Sequence, residues 1–336
     1  MDRVERAVDD IRRKWVPDGR LGVFEVSLLP KGVAGVTSSR DARDALRRLA
    51  GEQELVEQVR LLPDETVTDA AAIVIAALAP LLGAPQVSAP RVNEALHGES
   101  LGVLECRDDW LRVRAPDGYV AWTHAGYVAT GATDWADDWR ERATARSLSA
   151  DIVTTYSRRR LPTGGRVALR RGVVELADGQ EGAVAGGYVR REQELRAEAR
   201  HLALPELALK WFSGAPYLWG GRTEWGIDCS GLAQAVYAAR GIQLPRDSDQ
   251  QFVEGKEIAI ASEGKGYEAG DLLFFAERGR VSHVALWSGA GHVVHAALSR
   301  GGVASDHLFG DEPRMRRLRE NLVGVRRVDE AVRRER

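Results

Sequence analysis

Cysteine is nearly absent. The chain holds 2 in 336 residues, Cys106 and Cys229, too few for a disulfide framework, and reduced thiols fit at least as well as the single bridge they allow. Also missing is an apolar run long enough to span a bilayer: the most apolar stretch, residues 70–83, is interrupted by Pro80. The N-terminal stretch MDRVERAVDDIRRKWVPDG alternates charges with single apolar residues. It lacks the apolar core of a secretory signal, so a cytoplasmic protein is the expectation, and an exported one only if the start codon lies elsewhere. Neither sign of charge is in excess. With 47 Lys and Arg against 49 Asp and Glu, the formal charge is −2, and no whole-molecule field selects nucleic acid or an anionic membrane. The local basic runs, Ser157–Arg160 and Arg314–Arg319, read as solvated surface. A monomer without nucleic-acid or membrane partners is expected.

What the chain does have is the composition of a folded protein, 44% hydrophobic and 29% charged, at a length that divides into several domains. Residues 1–85 mix strand and helix signals. Strands are expected over 21–28 and 55–62, and a helix runs from a Ser39 cap through Leu49. A second, apolar helix is expected from Thr68-Asp69 to Pro80. Residues 86–130 alternate like short strands, with a turn at Pro116-Asp117-Gly118. Residues 148–197 repeat that style, and Gly187-Tyr188-Val189 echoes Gly118-Tyr119-Val120. A short charged helix lies between them at 131–147, with Trp135 and Trp139 on one face. Residues 198–330 begin with helical patterns and end in strand candidates at 271–276, 281–287, 292–297 and 323–328, an α+β layout.

Cys229 opens one of these helices, after the Gly- and aromatic-rich loop GAPYLWGGRTEWGID. Free N–H groups and the positive end of the dipole at a helix start favour thiolate over thiol, and the same groups can hold an oxyanion. Gly226 and Gly231 leave room for a substrate backbone. A lone cysteine is inert without a base. Two histidines, His283 and His295, lie in neighbouring strand candidates joined by Ser288-Gly289-Ala290-Gly291. A three-residue loop over 288–290 would set them directly opposite each other, with side chains about 5 Å apart. His283 would then take the thiol proton and His295 would orient it. His292 is expected on the outer face, and His97, His124, His201 and His307 have no chemistry to offer. One cysteine and two histidines can also bind zinc with an open fourth position, but none of the pairs has a short metal-ligand spacing, and no cofactor or metal is expected.

Taken together, these blocks resemble the NlpC/P60 family of cysteine peptidases: Tyr217-Leu218-Trp219-Gly220-Gly221, Gly226-Ile227-Asp228-Cys229-Ser230-Gly231-Leu232, Leu244-Pro245-Arg246-Asp247-Ser248, Gly270 to Phe275, His283-Val284-Ala285 and His295-Ala296. Leu96-His97-Gly98-Glu99, Asp109 to Val113 and Asp117 to Trp122 resemble bacterial SH3 (SH3b) domains. The resemblance implies two small all-β SH3-like barrels, at 86–130 and 148–197, ahead of a papain-like α+β domain at 198–330, with 1–85 as an α/β extension. It puts the catalytic triad on Cys229, His283 and His295. The layout looks like the γ-D-glutamyl-L-diamino acid endopeptidase subgroup, which implies peptidoglycan stem peptides as substrates, cut between γ-D-Glu and the diamino acid.

By the same resemblance a free N-terminal L-Ala would meet Glu99, Tyr119 and Asp247. Trp219, Asp228, Ser230 and Ser248 would line the groove, and Tyr217 would stand beside the sulfur. Two carboxylates match an ammonium, and an N-acylated peptide would leave them unpaired at a cost. Each residue also has a plainer role open to it: Glu99 as a turn acid, Asp228 and Asp247 as helix caps, Tyr119 as a core aromatic. Recycling of freed murein peptides follows from this reading. The alternatives are a hydrolase of intact wall, a wall-binding protein without catalysis, and acyl transfer on the same thioester chemistry.

Overall fold

The computed structural model describes residues 3–329. Its first unit packs helices Arg3–Trp15 and Arg40–Glu52 on a three-stranded sheet, Phe24–Leu29, Gly32–Thr37 and Val56–Leu61. Ser39 caps the second helix as expected, its hydroxyl accepting from the Ala42 N–H at 3.2 Å.

The apolar helix expected at 68–80 does not form. Ala71–Val74 and Leu78–Leu82 are strands of a seven-stranded sheet that also contains Arg91–Leu96, Ser100–Arg107, Trp110–Arg114, Val120–His124 and Val128–Gly131. Ala71–Val74 is buried on both faces, and Leu78–Leu82, though only alternately buried, is apolar on both, so the run carries no periodicity to separate strand from helix. Consecutive Ile73-Val74-Ile75 favours the strand. The first β domain therefore begins inside the segment expected to be an extension, near residue 71 rather than 86.

The helix Thr133–Arg142 follows, with Trp139 buried and its Nε1 donating to the Gly98 carbonyl at 2.9 Å. A second β unit has strands Ala145–Thr154, Arg158–Leu161, Arg166–Arg170, Val173–Glu175 and Glu181–Arg191. Its first strand pairs with its last as well as with the third, so the ladder closes on itself. It starts at 145 and ends at 191; residues 192–200, expected within it in part, form a helix.

The last unit packs helices Leu204–Phe212 and Cys229–Ala239 on a six-stranded antiparallel sheet ordered Lys256–Ile258, Leu322–Arg327, Leu272–Glu277, Arg280–Gly289, His292–Ala297, Gly302–His307. Alternation along the strands sends Phe274, Val284, Leu286 and Val294 into the helix-side core. Leu273, Phe275, Trp287 and Val293 fill a second core on the other face. No helix among the described residues is long and apolar enough to cross a membrane.

Candidate active site

Both cysteines are free, and Cys229 is the first residue of its helix. Asp228 is the N-cap, and its Oδ1 accepts the Gly231 N–H at 2.7 Å. The same carboxylate accepts from the Gly220 N–H at 2.8 Å, the Ser230 hydroxyl at 3.2 Å, and Arg246 Nη1 and Nη2 at 3.0 and 2.7 Å. Five donors saturate its lone pairs. Ser230 Oγ also accepts from Arg246 Nη1 at 2.8 Å. Asp228 and Ser230, expected to line the groove, are thus bound up in holding the start of the helix. Arg246, 1% exposed, is the centre of that network and reaches Asn93 of the first β domain at 2.9 Å. Gly226 and Gly231 are packing glycines: a Cβ on Gly231 would lie 2.3 Å from the Gly221 carbonyl, and one on Gly226 would strike Leu218.

Burial pushes the Cys229 thiol up to about 12, with the Asp228 charge adding to it; hydrogen bonds from the Val284 and Ser230 backbone pull the other way. The expected preference for thiolate at a helix start is outweighed here by desolvation. The Val284 contact sets the sulfur against the strand Arg280–Gly289, one residue from His283. Burial also drives the His283 pKa down to about 3, and His295 works in the same direction. Burial thus favours the neutral form of both groups.

His283 Nε2 and His295 Nδ1 are 2.8 Å apart. Their strands are not in the expected register. Leu286 pairs with Val294 and Trp287 with Val293, and the turn is Ala290-Gly291, both at positive φ. Continued, that register puts Ala285 opposite His295, so the two histidines are diagonal neighbours on one face.

The next strand adds a residue the sequence reading missed. Asp306 Oδ2 lies 3.0 Å from His295 Nε2 and accepts from Arg300 Nε at 2.8 Å. Burial opposes its charge, but hydrogen bonds from His295 and Arg300 hold the carboxyl well below the usual range. An ionised Asp306 only accepts, so His295 donates through Nε2. A His295 that carries only this one hydrogen accepts at Nδ1 from His283 Nε2–H, which leaves His283 Nδ1 as the open base. The signal for Asp306 lay in the segment GVASDH, a short alternating run whose strand was not recognised.

The remaining expected residues divide. Tyr217 is half-buried, and its hydroxyl pKa is raised by burial first and by Cys229 next, as fits a phenol beside the sulfur. Trp219 is 64% exposed on the loop before the helix. Asp247 caps the helical turn Ser248–Gln251, which Gln251 ties to the Cys229 helix by donating to the Ser230 carbonyl at 3.1 Å. Ser248 is buried at its start. Tyr119 Oη approaches Asp247 Oδ2 at 3.4 Å. Arg20, from the N-terminal unit, donates to Asp247 at 2.9 Å, to Asp249 at 2.7 and 2.8 Å, and to Asp18 at 2.9 and 2.8 Å. Glu99 belongs elsewhere. It accepts from the Leu96 N–H at 2.9 Å and from Arg222 at 3.1 and 3.2 Å, and it lines a cavity that includes none of Cys229, His283 and His295. It is the turn acid of the plainer alternative.

Residues 214–326 match the model of the NlpC/P60 family, and residues 81–125 match that of the bacterial dipeptidyl-peptidase SH3 domain. The chain is 28% identical over 230 residues to the γ-D-glutamyl-L-lysine dipeptidyl-peptidase of Bacillus cereus, covering 61% of this chain and 66% of that one. It is 29% identical over 270 residues to dipeptidyl-peptidase 6 of Lysinibacillus sphaericus, covering 72% and 93%. A crystal structure of an NlpC/P60 family protein from Bacillus cereus superposes with a TM-score of 0.62 at 21% identity, covering 76% of this chain and 99% of that one, which bears on the fold.

Proposed function

We propose, on the premise that this chain carries an NlpC/P60 domain and a bacterial dipeptidyl-peptidase SH3 domain, that it is a cysteine peptidase. Its substrates are peptidoglycan-derived peptides with a free N-terminal L-Ala, cut between γ-D-Glu and the diamino acid. The observation that carries the reading is the hydrogen-bonded relay Asp306–His295–His283, whose last histidine is the chain neighbour of Val284, the residue whose backbone bonds the Cys229 sulfur. When the substrate carbonyl arrives, His283 takes the thiol proton as sulfur attacks. The tetrahedral oxyanion falls to the Cys229 and Ser230 amides, because Asp228 has already taken the Gly231 N–H. His283 then protonates the leaving amine, and water resolves the thioester.

The preference for a free amine rests on Asp18, Asp247 and Asp249 gathered around one guanidinium, that of Arg20. Three carboxylates share one cation, and one of them, Asp247, stands beside Tyr119; an ammonium supplies the positive charge that is missing. N-acylation removes it. The second β unit, closed on itself, is proposed as a second SH3-like barrel.

The test gives the purified protein L-Ala-γ-D-Glu-diaminopimelate and its N-acetylated form and follows products by mass spectrometry. Release of L-Ala-D-Glu from the free peptide alone is expected. Equal cleavage of both would remove the amine selection, and cleavage of neither would remove the activity.

A further inference from the structure

Between the two β units and the Cys229 helix lies a cavity of about 460 Å³ that the peptidase reading leaves unused. That volume lies in the range of small-molecule sites. Five arginines line it: Arg140, Arg146, Arg166, Arg196 and Arg222. Three acids do so, Glu99, Asp117 and Glu192. Arg222 is matched by Glu99, at 3.1 Å, and Arg140 pairs with Asp137 outside the lining. Asp117 serves the amides of Asn93 and Gln234, at 3.2 Å each.

That leaves three guanidiniums on one carboxylate. Glu192 lies 2.7 Å from Arg146, 3.1 Å from Arg166 and 3.7 Å from Arg196. Among the described residues the group carries two positive charges in excess. Burial, and Arg146 after it, lowers the Arg166 pKa to about 10, the direction expected where cations crowd a half-desolvated site. Two of the three are anchored before any ligand arrives: Arg166 Nη1 donates to the Ala143 carbonyl at 2.9 Å, and Arg146 Nη1 to the Gly164 carbonyl at 3.1 Å. Leu148, Leu195 and Trp211 supply an apolar wall.

We propose that this cavity is a binding site for a small organic dianion, whose phosphate or paired carboxylates engage Arg146, Arg166 and Arg196 and whose carbon skeleton lies against the apolar wall. Arg196, whose carboxylate partner is 3.7 Å away, offers its guanidinium fork for bidentate capture, while Arg146 and Arg166, already donating to Glu192, Gly164 and Ala143, add positive charge. The ligand's negative charge meets the positive excess on these three guanidiniums, and the remaining volume accommodates a body larger than the anion itself.

Isothermal titration of the full chain with glucose 6-phosphate, glutarate, inorganic phosphate and glucose tests this. Saturable millimolar-or-tighter binding is expected for glucose 6-phosphate or glutarate, and the stronger of the two names the anion's source. Weaker binding is expected for phosphate and none for glucose. Affinity should fall as salt rises. Arg196→Gln, at a half-exposed position that leaves the fold intact, should weaken binding by about tenfold or more. Arg146→Gln should do the same, and Cys229→Ala should leave binding unchanged. Absence of saturable binding by both organic dianions overturns the proposal, as does binding that survives both arginine variants unchanged.

Discussion

Asp306 decides the protonation pattern at the residue scale. Its carboxylate can only accept, and this fixes which nitrogen of each histidine carries hydrogen. Asp306→Asn keeps the shape but offers an NH₂ to His295 Nε2, which reverses the relay and leaves a proton on His283 Nδ1. We expect a fall in kcat on the order of 10²- to 10⁴-fold with little change in KM, read by steady-state kinetics on the free tripeptide. A loss under about threefold would make Asp306 structural only. Burial of His283 has a second consequence. Its folded pKa, about 3, lies below the ordinary 6.5, so across that window the unfolded chain binds the extra proton. The His283 contribution to stability is complete above pH 6.5 and is lost as pH falls toward 3. In urea titrations between pH 7 and 4, His283→Gln should lose less stability on acidification than the parent chain. Equal losses would mean that His283 is not held neutral.

At the scale of elements, the legible features were those with local chemistry. Ser39 announced a helix start and the Trp135/Trp139 pair a packed face, and the capping role left open to Asp228 and Asp247 is the one they fill. The run 70–83 was not legible, because a segment apolar on both faces has no polar side to reveal its period. The His283–His295 contact was anticipated through a wrong register. A two-residue turn at Ala290-Gly291 replaced the three-residue loop, and a β-bulge between Trp287 and Gly289 restored a register that keeps both side chains on one face. The ion pairs Glu99–Arg222 and Asp228–Arg246 were not legible, because each joins residues apart in the chain and an ion pair leaves no local pattern. Arg246→Met should cost about 3–5 kcal/mol in urea denaturation, since it leaves Asp228 buried and uncompensated. A cost below about 1 kcal/mol would show that the helix start does not depend on it.

At the scale of the molecule, the catalytic unit does not stand alone. Arg246 reaches Asn93, Arg222 reaches the Glu94 carbonyl at 2.7 Å, and Glu224 accepts from the Thr163 N–H of the second β unit at 3.0 Å. The N-terminal unit, for which the sequence offered no chemistry, contributes Arg20 to the acidic cluster, and Gln250 donates to its Asp18 at 2.8 Å. Burial raises the Asp247 pKa, and Arg246 and Arg20 oppose it. Arg20→Ala should push that pKa higher and protonate more of the carboxylate. The expected result is a higher KM for the free-amine peptide at nearly constant kcat. A drop in kcat at unchanged KM would place Arg20 with the reacting atoms.

The central claim is that Cys229 is the nucleophile. Hydrolysis of L-Ala-γ-D-Glu-diaminopimelate by folded Cys229→Ala, followed by mass spectrometry beside the parent chain, tests it most directly. Turnover is predicted to fall by at least about 10³-fold, whereas parent-level release of L-Ala-D-Glu by the variant would contradict it.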